Sequence, residues 1–325
     1  MSDYAITASA PGGPETFRRT EIATPEPGPG QIRLRQTAVG LNFIDAYHRS
    51  GTYPWPQPAD LIVGSEGAGV VEALGAGVTG LALGDRVAYT QPLGAYASVR
   101  LIGADRVVPI PDGVSDAVAA TLMLKGLTAH YLIHDCHPAQ AGETVLVHAA
   151  AGGVGLLLGQ WLAAKGVTAI GTAGGAQKGA LAAGHGYAHV IDYDSADFAA
   201  EVTRLTEGRG VAAVYDGVGA RTWRGSMQAL AMRGTYVCFG QASGPITDFA
   251  FSDLAPKSAR ATRPSLFHFI ADPAELRRRA AELFAAVADG TLRSEPHQTL
   301  PLDQAARAHA DLEARRTTGA TVLIP

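Results

Sequence analysis

Between a stretch that alternates like a strand and one patterned like a helix, the chain reads Val147-His148-Ala149-Ala150-Ala151-Gly152-Gly153-Val154-Gly155. The spacing matches the phosphate-binding turn G-x-G-x-x-G, with Ala150 at its first position and Gly152 and Gly155 at the others. A glycine at the middle position lets backbone N–H groups close on a diphosphate, which lies at a helix start where those groups lack partners. The last glycine lets helix and strand pack closely. The chemistry implied is dinucleotide binding, with the cofactor carrying the reaction itself.

An absence narrows the choice of dinucleotide. A site for NAD places an acid about twenty residues further on, against the ribose 2′-hydroxyl. No Asp or Glu occurs between Gly155 and Ile191, and the turn reads Gly174-Gly175-Ala176-Gln177-Lys178. An uncharged turn leaves room for a 2′-phosphate, and Lys178 supplies a cation for it. A lysine in a first helical turn also opposes the helix dipole, which favours a ligand over bare solvent as its partner. The expected cofactor is NADPH. Asp192 comes too late to be the ribose acid. Asp216-Gly217-Val218-Gly219 follows a further strand, at the edge where such sheets bind ligands, although a plain turn explains it equally well.

Other chemistries lack their residues. Cys136 and Cys238 are the only cysteines, too few for a zinc alcohol dehydrogenase site or a four-cysteine structural site. His130, His134, Cys136 and His137 form one local cluster, but Pro138 follows and no carboxylate is spaced to orient them. Ser65, in Gly64-Ser65-Glu66-Gly67, lacks the flanks of a nucleophile elbow. What is left is hydride or electron transfer to an acceptor that needs little acid catalysis. A quinone meets that condition.

The elements that must hold these residues fall into two textures. Up to about residue 125, short strands are separated by Gly and Pro turns: Gln31–Leu41 with strict initial alternation, then 67–74, 85–89 and 96–100. A short helix spans 42–50, and the Pro-rich stretch Tyr53–Pro58 is expected to be an irregular, exposed loop. From Ser115 to about Arg263 strands alternate with helices, as in a parallel sheet covered on both faces. Its strands are expected at 144–149, 167–172, 212–216 and 235–239, with a helix over 155–165. The tail has a helix marked by Asp272, Pro273, Glu275 and Gly290, a second from about Asp303, and a last strand over 321–324. The fold expected is α/β: a doubly wound parallel sheet (126–263) inserted into a barrel-type substrate domain formed by 1–125 and 264–325.

With 325 residues, 47% hydrophobic and 17% charged, the chain is long enough for two cores and has no disordered signature. A net charge of −4 gives no footprint for nucleic acid or an anionic membrane, and Arg277-Arg278-Arg279 reads as a solvated helix face. The start lacks a signal-peptide pattern, and no apolar run is long enough to span a bilayer. With only two, widely spaced cysteines, a cytoplasmic location is expected.

Several motifs together resemble one family. Asn42-Phe43-Ile44-Asp45, Gly84-Asp85-Arg86-Val87, Lys125-Gly126-Leu127-Thr128, the glycine-rich turn, Ala176-Gln177-Lys178, Thr262-Arg263-Pro264-Ser265-Leu266 and Leu323-Ile324-Pro325 are similar to the zinc-free quinone oxidoreductases. These form the zeta-crystallin-like branch of the medium-chain dehydrogenases and reductases. The resemblance implies a GroES-like substrate domain, a Rossmann domain and a homodimer joined through the Rossmann sheets. It implies NADPH-dependent quinone reduction without metal, with Ser65 where zinc relatives carry a ligand histidine.

On that likeness Asn42, Asp45, Tyr47 and Tyr53 wall the nicotinamide and quinone cleft. Tyr131, Gly152, Gly153, Val154, Gly155, Lys178, Tyr193, Gly217, Phe239, Gly240, Gln241 and Arg263, with Asn42 and Tyr47, contact the cofactor. Gly217 and Gln241 depart from the Ser and Asn of similar bacterial enzymes, and His130 replaces an aromatic. Two alternatives stay open: reduction of an activated C=C bond in an enal, enone or enoyl thioester, and a non-enzymatic role in binding NADPH or RNA.

Overall fold

The computed structural model describes residues 2–55 and 60–325, so Pro56, Gln57 and Pro58 of the expected loop lie outside the described residues. The chain divides into two compact units. One holds the chain up to Lys125 together with Ile270–Ala285 and Ser294–Pro325; the other holds Gly126–Phe269 and Ala286–Arg293.

In chain order the first unit begins with β1 (Tyr4–Ala8), β2 (Arg18–Glu21), β3 (Gln31–Leu41), α1 (Phe43–Arg49) and β4 (Leu61–Ile62). It continues with β5 (Glu66–Leu74), β6 (Arg86–Thr90), β7 (Val99–Gly103) and β8 (Val107–Pro109), and α2 (Asp116–Tyr131) leads into the second unit. That unit alternates β9 (Thr144–Val147), α3 (Gly153–Ala164), β10 (Thr168–Ala173), α4 (Ala176–Ala183), β11 (His189–Asp192) and α5 (Phe198–Leu205). There follow β12 (Val211–Asp216), α6 (Trp223–Ala229), β13 (Leu230–Cys238), β14 (Arg260–Thr262) and α7 (Leu266–Phe269). The chain ends with α8 (Pro273–Ala288), β15 (Pro296–Pro301), α9 (Ala305–Glu313) and β16 (Ala320–Ile324).

The second unit is a Rossmann fold. Its six strands are all parallel, in the order β11-β10-β9-β12-β13-β14. Strand order reverses between β9 and β12, so the loops leaving those two strands flank the crevice where doubly wound sheets bind ligands. The strands are near-continuous apolar runs because helices cover both faces: Val145, Leu146, Val147, Val214 and Tyr215 are fully buried.

In the first unit β3 shows its sequence alternation directly. Ile32, Leu34, Gln36 and Ala38 point inward and Arg33 and Arg35 lie half-buried between them. β3 anchors a seven-stranded sheet, β15-β16-β3-β5-β6-β8 with β7 also on β3, and β2-β1-β4 form a second sheet. No helix among the described residues is long and apolar enough to cross a membrane.

Several boundaries differ from the sequence reading for identifiable reasons. The strand expected at 96–100 is β7, starting at Val99, because Tyr96 gives its N–H to Val63 and its carbonyl to Ile6, and Ala97 bridges Ala5. β9 stops at Val147, since Ala149 turns to φ +54 to begin the glycine-rich turn. β13 starts at Leu230, five residues early, through an irregular register against β12. The second unit continues past residue 263 to Phe269, whose ring stacks on Tyr131 at 4.4 Å. It takes back Ala286–Arg293, where Gln160 bonds the Arg293 backbone in both directions.

Candidate functional site

The glycine-rich turn is held rigid on both sides. The Ala150 N–H bonds the Thr172 carbonyl of β10 (2.9 Å), and the Gly152 N–H bonds Ala149 (2.9 Å). His148 is buried at the end of β9, with Nδ1 2.9 Å from Thr172 Oγ1 and Nε2 2.9 Å from Ser226 Oγ. Ser226 donates its proton to the Thr222 carbonyl, so it accepts from Nε2, and Thr172 donates to Nδ1. Burial pushes the His148 pKa down, consistent with this neutral tautomer.

α3 then begins at Gly153 with extended Gly152 as its N-cap and no side-chain cap. Its first intrahelical bond is made by Leu156, to Gly152. The N–H groups of Gly153, Val154 and Gly155 are therefore offered at the helix start, with no acid in the first turn. A Cβ on Gly155 would lie 2.4 Å from the Ala149 carbonyl and 2.7 Å from that of Ala150, whereas on Gly152 the nearest atom would be 3.2 Å away. Gly155 thus packs helix onto turn, and Gly152 keeps the outer side of the turn low. Such a turn suits a diphosphate.

Beyond β12, Asp216 organises the next loop. It is fully buried, and its two oxygens accept from Val218 N (2.7 Å), Gly219 N (3.0 Å), Thr222 Oγ1 (2.7 Å) and Tyr236 Oη (2.8 Å). Burial, and then the Asp216 carboxylate, raise the Tyr236 pKa, keeping that hydroxyl a donor. The Phe239 N–H bonds the Asp216 carbonyl (2.9 Å), and Ala242 and Ser243 bond Gly217 and Val218, so the loops after β12 and β13 are joined. The Phe239 ring lies 3.0 Å from where a Cβ on Gly217 would stand, so a side chain at this position would press on that ring. Asp216→Ala strands four donors; urea unfolding is expected to show a loss of about 3 kcal/mol. A loss under about 1 kcal/mol would mean that the loops hold without the carboxylate.

After β10 comes the open turn. Gly175 has φ +79, and a Cβ there would meet nothing within 4 Å; Lys178 stands half-buried in the first turn of α4. Parallel pairing sets Asp192 opposite Ala173 at the end of β10. Its Oδ1 accepts from the N–H groups of Gly175 (3.2 Å) and Asp194 (3.1 Å), which lower its pKa, Gly175 foremost. The acid that comes late in sequence is thus a clamp on this turn, brought there by the sheet. Tyr193 is half-buried beside it, and Arg263 is exposed just after β14. Gly240 and Gln241 are half-buried in the loop after β13; Tyr131 is buried at the end of α2.

Asn42, Asp45, Tyr47 and Tyr53 all belong to the first unit. Asn42 caps α1, and its Nδ2 donates to Glu66 Oε1 (2.9 Å). Glu66 is fully buried, pairs with Lys125 and accepts from Leu124 N (2.7 Å). Asp45, also fully buried, accepts from Ser65 Oγ (2.6 Å), Asn42 N (2.9 Å) and Tyr96 Oη (3.1 Å). Tyr47 and Tyr53 pack ring to ring at 5.4 Å and remain half-buried.

The donors for zinc are committed elsewhere. Ser65, with its bonds to Asp45 and to the Pro92 carbonyl, is no ligand. Burial pushes the Cys136 thiol up to about 12, and burial followed by the charge of Asp216 raises that of Cys238. His130 and His134 lie 4.5 Å apart, each edge-on to Trp161 at 5.6 and 5.9 Å, and His137 contacts Glu143. Among the described residues no group of three ligating side chains converges.

Sequence reasoning missed four buried residues here: Glu66 and Lys125 as a pair, and Tyr96 and His309 behind Asp45. The last two are separated by 213 positions and leave no local pattern.

Comparison with known proteins places these features in context. Residues 28–112 match a family described as alcohol dehydrogenase GroES-like domain, and residues 185–323 one described as zinc-binding dehydrogenase. The chain is 47% identical to a quinone oxidoreductase of Pseudomonas aeruginosa, over 98% of this chain and 99% of that one. It is 41% identical to a 2-haloacrylate reductase of a Burkholderia species, over 97% and 96% of the two chains. The crystal structure of Escherichia coli quinone oxidoreductase complexed with NADPH superposes with a TM-score of 0.96 at 41% identity, covering 99% of this chain and all of that one.

Proposed function

The chain belongs to the quinone oxidoreductase family of the medium-chain dehydrogenases and reductases, and from that premise we propose that it reduces quinones with NADPH and without a metal. The observation that carries the reading is the uncapped start of α3 behind a rigid glycine turn, with Lys178 in the first turn of α4 after the neighbouring strand β10. NADPH, when bound, supplies a hydride to the acceptor. Gly152, Gly153, Val154 and Gly155 hold the diphosphate through backbone N–H groups. Lys178, Tyr193 and Arg263 receive the phosphorylated ribose end. Gly217, Phe239, Gly240, Gln241, Tyr131, Asn42 and Tyr47 hold the rest, and Asp45 and Tyr53 complete the support for the acceptor.

A quinone suits this set because it accepts hydride to give a stabilised hydroquinone anion, so no strong acid is required. The expected result is NADPH oxidation with benzoquinone or naphthoquinone that is unchanged by chelator. Turnover of alcohols that chelator abolishes would overturn the reading. A second reading, reduction of an activated C=C bond, is favoured by the likeness to the 2-haloacrylate reductase. Matched assays with a naphthoquinone, an enone and a haloacrylate rank the two. Homodimerisation belongs to the same proposal, supported by the edge strand β14, whose three residues are all exposed, in a unit where Phe251 is 90% and Met232 68% exposed.

A further inference from the structure

Asp45 sits in a cage whose donors and acceptors can be assigned. Arg49 can only donate, so its Nη1, 3.1 Å from His309 Nδ1, makes that nitrogen an acceptor. His309 is fully buried, and burial together with Arg49 pushes its pKa down to about 3. The ring is neutral and carries its proton on Nε2, 2.9 Å from Tyr96 Oη. Tyr96 therefore accepts from His309 and donates to Asp45 Oδ2 at 3.1 Å. Its ring lies where a Cβ on Gly64 would fall, 2.2 Å away, so Gly64 (φ +98) admits this approach.

With Asn42 N also donating to Oδ2, any proton on Asp45 must occupy Oδ1, facing Ser65 Oγ at 2.6 Å. Ser65 has a second acceptor within reach, the Pro92 carbonyl at 3.1 Å. An ionised Asp45 accepts a hydrogen bond from the Ser65 hydroxyl; a protonated Asp45 donates one to Ser65 Oγ, whose own hydrogen turns to the Pro92 carbonyl. Both states are fully bonded.

We propose that Asp45 is a positioning residue that exchanges a proton with bulk water inside this cage, turning the Ser65 hydroxyl between Asp45 and Pro92, and so sets how firmly residues 42–53 are held for the acceptor. The link is the Asn42 N–H, which caps α1 onto Asp45 Oδ2 and is a stronger bond when the carboxylate is ionised. The inference rests on the quinone reading of that segment.

Burial raises the Asp45 pKa to about 7 against the bonds from Ser65 and Asn42; Lys125 lowers it and Glu66 raises it. The remaining groups of the cage are Tyr96, His309, Arg49 and its partner Glu313. The sign follows from linkage. A raised folded-state pKa contributes stability that is present below the unfolded value, about 3.9, and lost as pH rises through 7. His309 acts oppositely: its depressed pKa contributes stability above about 6.5 that is lost as pH falls towards 3. The slopes oppose each other in acid, which leaves Asp45 isolated between about pH 6.5 and 8.

The test is Asp45→Asn, which reproduces the protonated state in shape and bonding. Relative to this variant, the wild-type Tm should fall from pH 6.5 to 8, and the wild-type quinone KM should drop about threefold through pH 7, with KM flat in the variant. Ser65→Ala, should the first variant not fold, removes a bond that favours the ionised form and should move both inflections up by about half a unit or more. A Tm difference independent of pH, or unmoved inflections, overturns the proposal. A Tm difference that titrates while KM does not overturns the link to the acceptor. Absence of any quinone turnover refutes the functional reading instead, and the Tm arm still decides whether Asp45 titrates.

Discussion

The Gly155→Ala variant is expected to bind NADPH at least about 100-fold more weakly and to lose about 3 kcal/mol of stability. One methyl group is enough because its neighbours are backbone. The new carbon would meet the carbonyl oxygens of Ala149 and Ala150 at 2.4 and 2.7 Å, and neither can rotate aside as a side chain would. The turn cannot retreat easily either. The Tyr187 hydroxyl donates to the Gly155 carbonyl at 2.6 Å, and Ala150 is tied to β10 through Thr172. Relief must therefore come from moving the start of α3, which misaims the N–H groups of Gly153, Val154 and Gly155 together. Gly152→Ala is the control, since its nearest contact would be 3.2 Å; it should cost under about 1 kcal/mol and report chiefly on the ligand's space. Calorimetric titration with NADPH and urea unfolding measure both variants. Binding by Gly155→Ala within threefold of wild type would sink the assignment of this turn.

How much of this was legible beforehand depends on the range of the interactions involved. The alternation of Ile32, Leu34 and Arg33, Arg35 marked β3, and the strand–glycine–helix succession marked the turn after β9, because both are local patterns. The cap of α8 was equally plain: Asp272 Oδ1 accepts the Ala274 N–H at 2.8 Å, with Pro273 opening the helix. Tyr96 was misassigned to a strand because its apolar neighbours suit one, while its hydrogen bonds go to Ile6 and Val63, far along the chain. Asp192 looked too distant for the ribose turn when counted along the sequence. Parallel pairing of β11 with β10 brings it opposite Ala173. The Asp45–Tyr96–His309–Arg49 chain was illegible for the same reason: it draws on residues from 45 to 309, none spaced as a motif.

The relocation of Asp192 gives the choice of cofactor its sharpest test. Asp192 ends β11, one strand over from the end of β10 where an enzyme for NAD keeps its ribose acid, and one of its oxygens is bound to two backbone N–H groups. Asp194 is close as well, its Oδ2 2.5 Å from where a Cβ on Gly174 would be. The turn therefore holds two carboxylates, and Lys178 is the cation that α4 contributes in its first turn. Lys178→Glu would put a third negative charge there. A 2′-phosphate would exchange a charge-assisted contact for a repulsion, a change of about 3 kcal/mol, whereas a 2′-hydroxyl would lose little. The NADPH Kd should rise about 100-fold and the NADH Kd less than about threefold, which reverses the preference between them. The measurement is titration of both nicotinamides against wild type and variant at one ionic strength, because exposed charges are screened by salt. Equal losses for the two cofactors would remove Lys178 from the phosphate site and leave Tyr193 and Arg263 as its remaining candidates.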